Sequence, residues 1–320
     1  MNVRRCTGFG LLLSLLLLAA PTVLPAADAA GPAARQVPLA TEALLLALVR
    51  AGARLVAVGE HGVVLLSDDE GGVWRQAAAV PTRTTLTAVT FINAELGWAV
   101  GHGGQILHTT DGGEHWQLQT GSIDGENSLF GVWFGDAQTG LAVGSYGYAL
   151  RTGDGGASWS PVTLGEGEDS ERHLNHVFAA GDGRLLVAAE LGGVFISEDT
   201  GNTWRLVQTP YEGSLWSGFT RADGSVVVLG MAGHALLSND RGEQWRELET
   251  GMTQSLTGGL ELPDGRLVLA GLGGALGLGS PQLQFKASVR EDRLPATAVV
   301  LSGQRLLLAT QRGILPVPLP

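Results

Sequence analysis

The sequence is poor in the residues that usually announce chemistry. It has one cysteine, Cys6, so the chain forms no internal disulfide and offers no thiolate pair to a metal. None of its 7 histidines pair at the H-x-H or H-x-x-x-H spacing that favours zinc; His173 and His176 stand three apart on a stretch entering a strand. No metal and no cofactor are expected. Lysine is reduced to Lys286, and 20 basic residues face 31 acidic ones. A net charge of −11 argues against nucleic acid and against an anionic membrane surface as partners. There is no Ser-His-Asp arrangement and no nucleophile elbow. A long apolar run is also missing. The stretch from Gly10 to Ala20 is shorter than the roughly 20 residues a membrane span needs. With Arg4 and Arg5 before it and Pro21, Pro25 and small residues after it, it reads as an export signal over residues 1–27, cleaved after Ala27. Cys6 precedes the run and is not placed as a lipoprotein cysteine. The expected product is an exported, periplasmic monomer with no membrane span of its own.

What the sequence has is glycine and repetition. Its 48 glycines suit a chain dense in turns, and 44% hydrophobic residues supply a large core. The skeleton Ser/Thr-x-Asp-x-Gly-x-x-Trp recurs at Asp69/Trp74, Asp111/Trp116, Asp154/Trp159, Asp199/Trp204 and Asp240/Trp245. The tryptophans are spaced 41–45 residues apart, a period that marks a repeat architecture. Each copy has a physical logic. The carboxylate accepts hydrogen bonds from backbone N–H groups just beyond it, the glycine supplies a positive φ, and the tryptophan buries a large ring. One carboxylate per copy is too few for a calcium loop. The pattern resembles the Asp box of sialidases and related β-propellers.

Around each copy the same order of elements recurs. An apolar strand starts near residues 44, 86, 129, 174, 215, 256 and 296. A turn follows, then a second strand and a V-G-x-x-G-like hairpin, as at 58–62, 100–103 and 143–147. A third strand, the Asp turn and a fourth strand complete the unit. Four short strands in each of seven units predict an all-β, seven-bladed propeller over residues 35–316. The sixth unit replaces its Asp turn with Gly279-Ser280-Pro281, and the seventh stops after its third strand. Residues 35–39 echo the strand at Arg75-Gln76-Ala77, so an N-terminal strand is expected to complete the last blade and close the ring. The polar, acidic stretch 164–173 is expected in a loop between blades.

This connectivity puts the Asp turns on one face with the strand 1–2 turns. The V-G-x-x-G turns share the other face with the blade-to-blade connectors. The second face carries the more varied sequences and is the candidate binding face. The second positions of the first strands, read as Leu45, Thr87, Phe130, Asn175, Trp216, Thr257 and Thr297, are expected to line the channel mouth. Phe130, Asn175 and Trp216 are its unusual members, with His176 adjoining them. His61, His102, Tyr146 and Glu190 come from the turns. Together these eight form the candidate partner-binding set; the five Asp/Trp pairs are structural, and no catalytic residue is assigned.

The run Gly97-Trp98-Ala99-Val100-Gly101-His102-Gly103-Gly104-Gln105-Ile106-Leu107, continuing through Asp111-Gly112-Gly113 and repeated from Gly140 to Trp159, resembles the photosystem II stability/assembly factor family and its relatives in non-photosynthetic bacteria. The resemblance spans about residues 37–316. It implies a non-enzymatic, membrane-associated assembly or stability factor that docks on a membrane protein. The arginine-rich surface of photosynthetic members has no match in this acidic chain, so the expected partner is a bacterial envelope complex such as a transporter. The alternative is a sialidase-like glycan-binding or glycoside hydrolase propeller. That family implies an arginine triad and a Tyr–Glu nucleophile pair, and the sequence shows no R-I-P motif and no recurring strand-start arginine. Glu60 and Glu190 occupy equivalent turn positions but do not define a retaining carboxylate pair.

Overall fold

The computed structural model describes residues 32–120 and 127–319; the expected export signal lies outside them. The described residues form a seven-bladed, all-β propeller. Its innermost strands are Leu45–Ala51, Leu86–Phe91, Leu129–Phe134, Leu174–Ala179, Leu215–Thr220, Leu256–Glu261 and Ala296–Ser302. Blades one to six each hold four consecutive antiparallel strands, and blade seven holds three. Leu45 pairs with Gly59 as Leu86 pairs with Gly101 and Leu129 with Gly144. Blade one is therefore offset by one residue from the spacing read in the sequence. Leu45 is fully buried, and Leu46 takes the channel position.

The core lies between blades. A second strand is covered on both sides, so its central positions are all apolar, and successive residues serve opposite neighbours. In blade one, Leu55 and Ala57 pack with Leu307 and Ala309 of blade seven, whereas Val56 and Val58 pack with Leu86 and Ala99 of blade two. The same division recurs at each junction around the ring. The tryptophans of the Asp turns all enter these junctions on the side of the preceding blade: Trp74 towards blade seven, Trp116 towards blade one, Trp159, Trp204 and Trp245 towards blades two, three and four.

The Asp turns repeat one hydrogen-bond pattern. In the second copy the Thr109 hydroxyl donates to Asp111 Oδ1 at 2.9 Å while accepting from the Gly113 N–H at 3.0 Å, and the His115 N–H donates to Asp111 Oδ1 at 3.0 Å. The Trp116 indole N–H returns to the Gly113 carbonyl at 2.9 Å, and its ring is buried. Donors crowding the carboxylates favour their charged form and hold Asp154 and Asp199 down at about 2. In the third copy the indole N–H of Trp159 makes no such bond, and the neighbouring Gly155 carbonyl accepts from Trp98 Nε1 and Gln119 Nε2 instead.

Ring closure differs from the sequence expectation. Residues 32–37 form no strand and do not join blade seven. They run beside the outer strand of blade one: Ala34 N–H donates to the Val80 carbonyl, the Gln36 amide to Ala77, and Gln76 donates back to the Arg35 carbonyl. The following residues instead occupy the place of a connector. Gly147, at φ +70°, lies so close to the blade three-to-four connector that a Cβ would stand 1.8 Å from the Ser170 carbonyl oxygen. Gly313 of blade seven, at φ +78°, stands in the same relation to the Thr41 carbonyl and donates its N–H to Ala43. On the opposite face, Ser302 and Arg305 of blade seven donate to the Glu70 carbonyl of blade one at 2.9 and 3.1 Å. Arg50 grips the Glu70 carboxylate and also reaches the Leu301 carbonyl. With Arg50 first and Ser302 second, these donors lower Glu70 to about 2.

Among the described residues no strand pairs with the far side of the outer strand of blade seven, Gly313–Pro318. Pro316 pairs with Leu307 and Pro318 with Arg305. A proline cannot complete a hydrogen-bonded pair, so the ladder bonds fall on Leu308–Leu315 and Leu306–Val317, and both ring nitrogens face the open edge.

Candidate protein-binding face

The channel is lined by the innermost strands and encloses about 280 Å³. Its ring of second positions divides into two kinds. The Thr87 hydroxyl donates to the Leu129 carbonyl at 2.6 Å, Asn175 Nδ2 to Leu215 at 2.8 Å, Thr257 to Ala296 at 2.6 Å and Thr297 to Leu45 at 2.8 Å. Each bond links a blade to the next, and each contributes about 1 kcal/mol net. Leu46, Phe130 and Trp216 make no such link and leave apolar surface in the lumen. His176 also lines the channel, and desolvation lowers it to about 4, so the imidazole is neutral at pH 7.

Three of the sequence-selected residues meet around His173 at one side of the channel mouth. The Tyr146 N–H donates to His173 Nδ1 at 3.2 Å, and the two rings are 4.5 Å apart. His173 also lies 6.2 Å from the Phe130 ring, and its N–H donates to Glu190 Oε1 at 3.0 Å. Phe130, Tyr146 and Glu190 thus converge on a histidine that the sequence had placed only beside a strand. Asn175 and His176 follow directly, and Trp216 faces the same lumen. His61 and His102 are not part of this group. His61 borders a separate cavity of about 600 Å³ with Arg35, Val37, Leu39 and Arg83, and His102 is exposed on blade two. Glu60 is spent on the backbone, accepting from the Leu44 N–H as Glu190 does from His173.

The turns also show side chains that periodicity does not flag. Tyr146, Leu191 and Ala232 adopt positive φ at equivalent turn positions, at 50°, 55° and 52°. Leu191 and Met231 are exposed, and their only sequence signal is an apolar residue inside a turn. Among the described residues no group of three or more His, Cys, Asp or Glu side chains is placed to hold a metal ion, and no helix is long and apolar enough to cross a membrane.

A family model described as photosynthesis system II assembly factor YCF48 matches residues 72–276. No curated protein matches the chain. Among solved structures, YCF48 bound to a D1 peptide superposes with a TM-score of 0.70 at 20% identity, covering 91% of this chain and 97% of the other. YCF48 from Cyanidioschyzon merolae gives 0.68 at 17% identity, covering 90% and 99%. An ancestral GH74 enzyme gives 0.67 at 14% identity; the match covers 89% of this chain and 45% of that enzyme. At these identities the structural likeness is one of fold.

Proposed function

This chain belongs to the photosynthesis system II assembly factor YCF48 family, and from that premise we propose that it is a non-enzymatic assembly or stability factor that docks on a membrane protein. The family match across residues 72–276 carries the reading. The D1 peptide bound by the YCF48 structure supports it, because it shows a segment of another protein held by a ring of this kind. The docking face is the connector face, where Phe130, Tyr146 and Glu190 gather around His173 beside the channel. The partner is an envelope complex, reached from the periplasmic side after export, and the ring acts as a monomer.

The test is a crosslinking pull-down of the mature protein from native envelopes, run beside a Phe130→Ala/Trp216→Ala variant. Recovery of one membrane complex, lost in the variant, is the expected result. Recovery unchanged in the variant moves docking away from the channel mouth. No protein complex, together with turnover of a glycan, overturns the reading in favour of a hydrolase.

A further inference from the structure

Turn tips in three consecutive blades present apolar side chains to solvent: Tyr146 is 72% exposed, Leu191 58% and Met231 42%. Tyr146 and Leu191 do so from the left-handed region, where glycine or asparagine is at ease. The equivalent positions in blades two and six are Gly103 and Gly273. The fold therefore does not require a large side chain at this point. Exposure and backbone strain both run against stability, and both fall on the same two residues.

The three tips belong to one continuous surface. The Gly147 N–H donates to the Arg172 carbonyl, and Arg172 Nη1 reaches the Glu190 and Leu191 carbonyls at 3.2 and 3.3 Å. The Gly192 N–H donates to the Gly213 carbonyl, and the Tyr211 hydroxyl lies 3.5 Å from the Met231 carbonyl. The connectors that fill the spaces between tips are acidic. Glu166, Glu168 and Glu171 are exposed in the first and Glu212 in the second, and among the described residues none of the four has an ion-pair partner. Arg172, the guanidinium of this stretch, is held by Asp169 and by turn carbonyls.

We propose that this arc seats a basic amphipathic segment of the partner. Its apolar side lies on Tyr146, Leu191 and Met231, and its lysine or arginine side chains reach the free carboxylates of the connectors. The proposal rests on the docking role given above and names the chemistry of what docks. Unpaired carboxylates beside apolar tips attract such a segment and repel both acidic peptides and anionic lipid.

A labelled Leu/Lys amphipathic peptide of about 18 residues, five turns of helix, is titrated into the purified protein by fluorescence anisotropy. A Leu/Glu peptide with the same apolar side and anionic vesicles serve as competitors. Asparagine tolerates the left-handed turn, so Tyr146→Asn/Leu191→Asn removes the apolar surface and leaves the fold, which thermal melting verifies. Glu166→Gln/Glu168→Gln/Glu171→Gln removes the charge. The expected result is binding of the Leu/Lys peptide alone, weakened about tenfold or more by either set, with a shallower salt dependence in the glutamine variant. Equal binding of the Leu/Glu peptide, capture by anionic vesicles, or indifference to both variants overturns the proposal. Envelope crosslinking with Tyr146→Asn/Leu191→Asn separates it from the docking role. A membrane complex recovered undiminished overturns this surface and leaves the role standing. Selective peptide binding with no complex from wild type overturns the role and supports the surface.

Discussion

On the face that carries the Asp turns, charges of opposite sign meet. Arg54 pairs with Asp68 and Glu114 across blades one and two, and Arg184 pairs with Glu198 and Glu243 across blades four and five. On the connector face, Glu166, Glu168, Glu171 and Glu212 have no ion-pair partner among the described residues, and Tyr146 and Leu191 stand in water. The same blades build both faces, so the difference does not come from the fold. One face repeats a solution to ring stability, with carboxylates satisfied by hydroxyls, amides and guanidiniums. The other, beside its own satisfied pairs such as Arg172–Asp169, leaves these four carboxylates and apolar tips open, which costs stability unless something covers them.

Substitutions can break this division or sharpen it. The largest effect is expected from Trp116→Ala on the Asp-turn face. Truncating a buried indole costs about 3–5 kcal/mol, and Asp111→Ala costs about 1 by removing the acceptor of an exposed turn. Both are expected to leave partner binding intact once corrected for the folded fraction. Denaturant unfolding checks this, and wild-type stability in Trp116→Ala would remove the tryptophan from the structural face. Next in size is Gly313→Ala, where the seam makes part of the connector face structural too. Positive φ and the clash with Thr41 together should cost about 2 kcal/mol or more. Gly303→Ala, in the same blade at φ +58° with open space around it, should cost only about 1 kcal/mol. Equal losses would mean that Thr41 does not close the ring.

Acid separates the two faces by pH. His176 titrates at about 4 folded against an ordinary 6.5, so the unfolded chain binds the proton first and stability falls as pH drops from 6.5 through 4. Glu70 titrates at about 2 against 4.5, so its contribution is present above 4.5 and is lost as pH falls through 2. Melting curves across pH should therefore flatten in the upper window for His176→Gln and in the lower window for Glu70→Gln. A slope unchanged by either substitution would contradict the corresponding assignment. The smallest effect on stability belongs to Tyr146→Asn/Leu191→Asn, expected to raise it by about 1 kcal/mol or less through relief of the left-handed backbone. Its effect on binding should be the greatest of the set, and a stability loss with binding retained would reverse the roles of the faces.

The repeat made the ring legible in advance because Asp, Gly and Trp at fixed offsets each answer a local demand of the turn. What escaped was decided by contacts between distant segments. The resemblance of residues 35–37 to the strand at Arg75-Gln76 suggested equivalent places, yet these stretches bond to each other, Gln36 to Ala77 and Gln76 to Arg35. The first strand of blade one starts at Leu45, one residue later than the spacing suggested, so Leu46 takes the channel position; the bulge after Leu45 recurs in the other blades and plays no part in the offset. Phe130, Asn175, His176 and Trp216 do line one lumen, but the Asn175 amide is engaged by the next blade, a use that its polarity alone does not reveal. Leu191 was not singled out, because an apolar residue inside a turn is a weak signal beside the charged Glu190 next to it.

The proline pair on the last strand has a consequence for how copies of this protein behave together. A three-stranded blade leaves a berth for a visiting strand, and rings with such a berth are candidates for linking into chains or fibres. A visitor would find carbonyls at Pro316 and Pro318 but no amide hydrogens between them, and half of its own bonds would go unmade. The vacancy persists because nothing can zip into it. At high concentration the protein should therefore remain as separate rings, and replacing both prolines with valine would be the shortest route to a polymer.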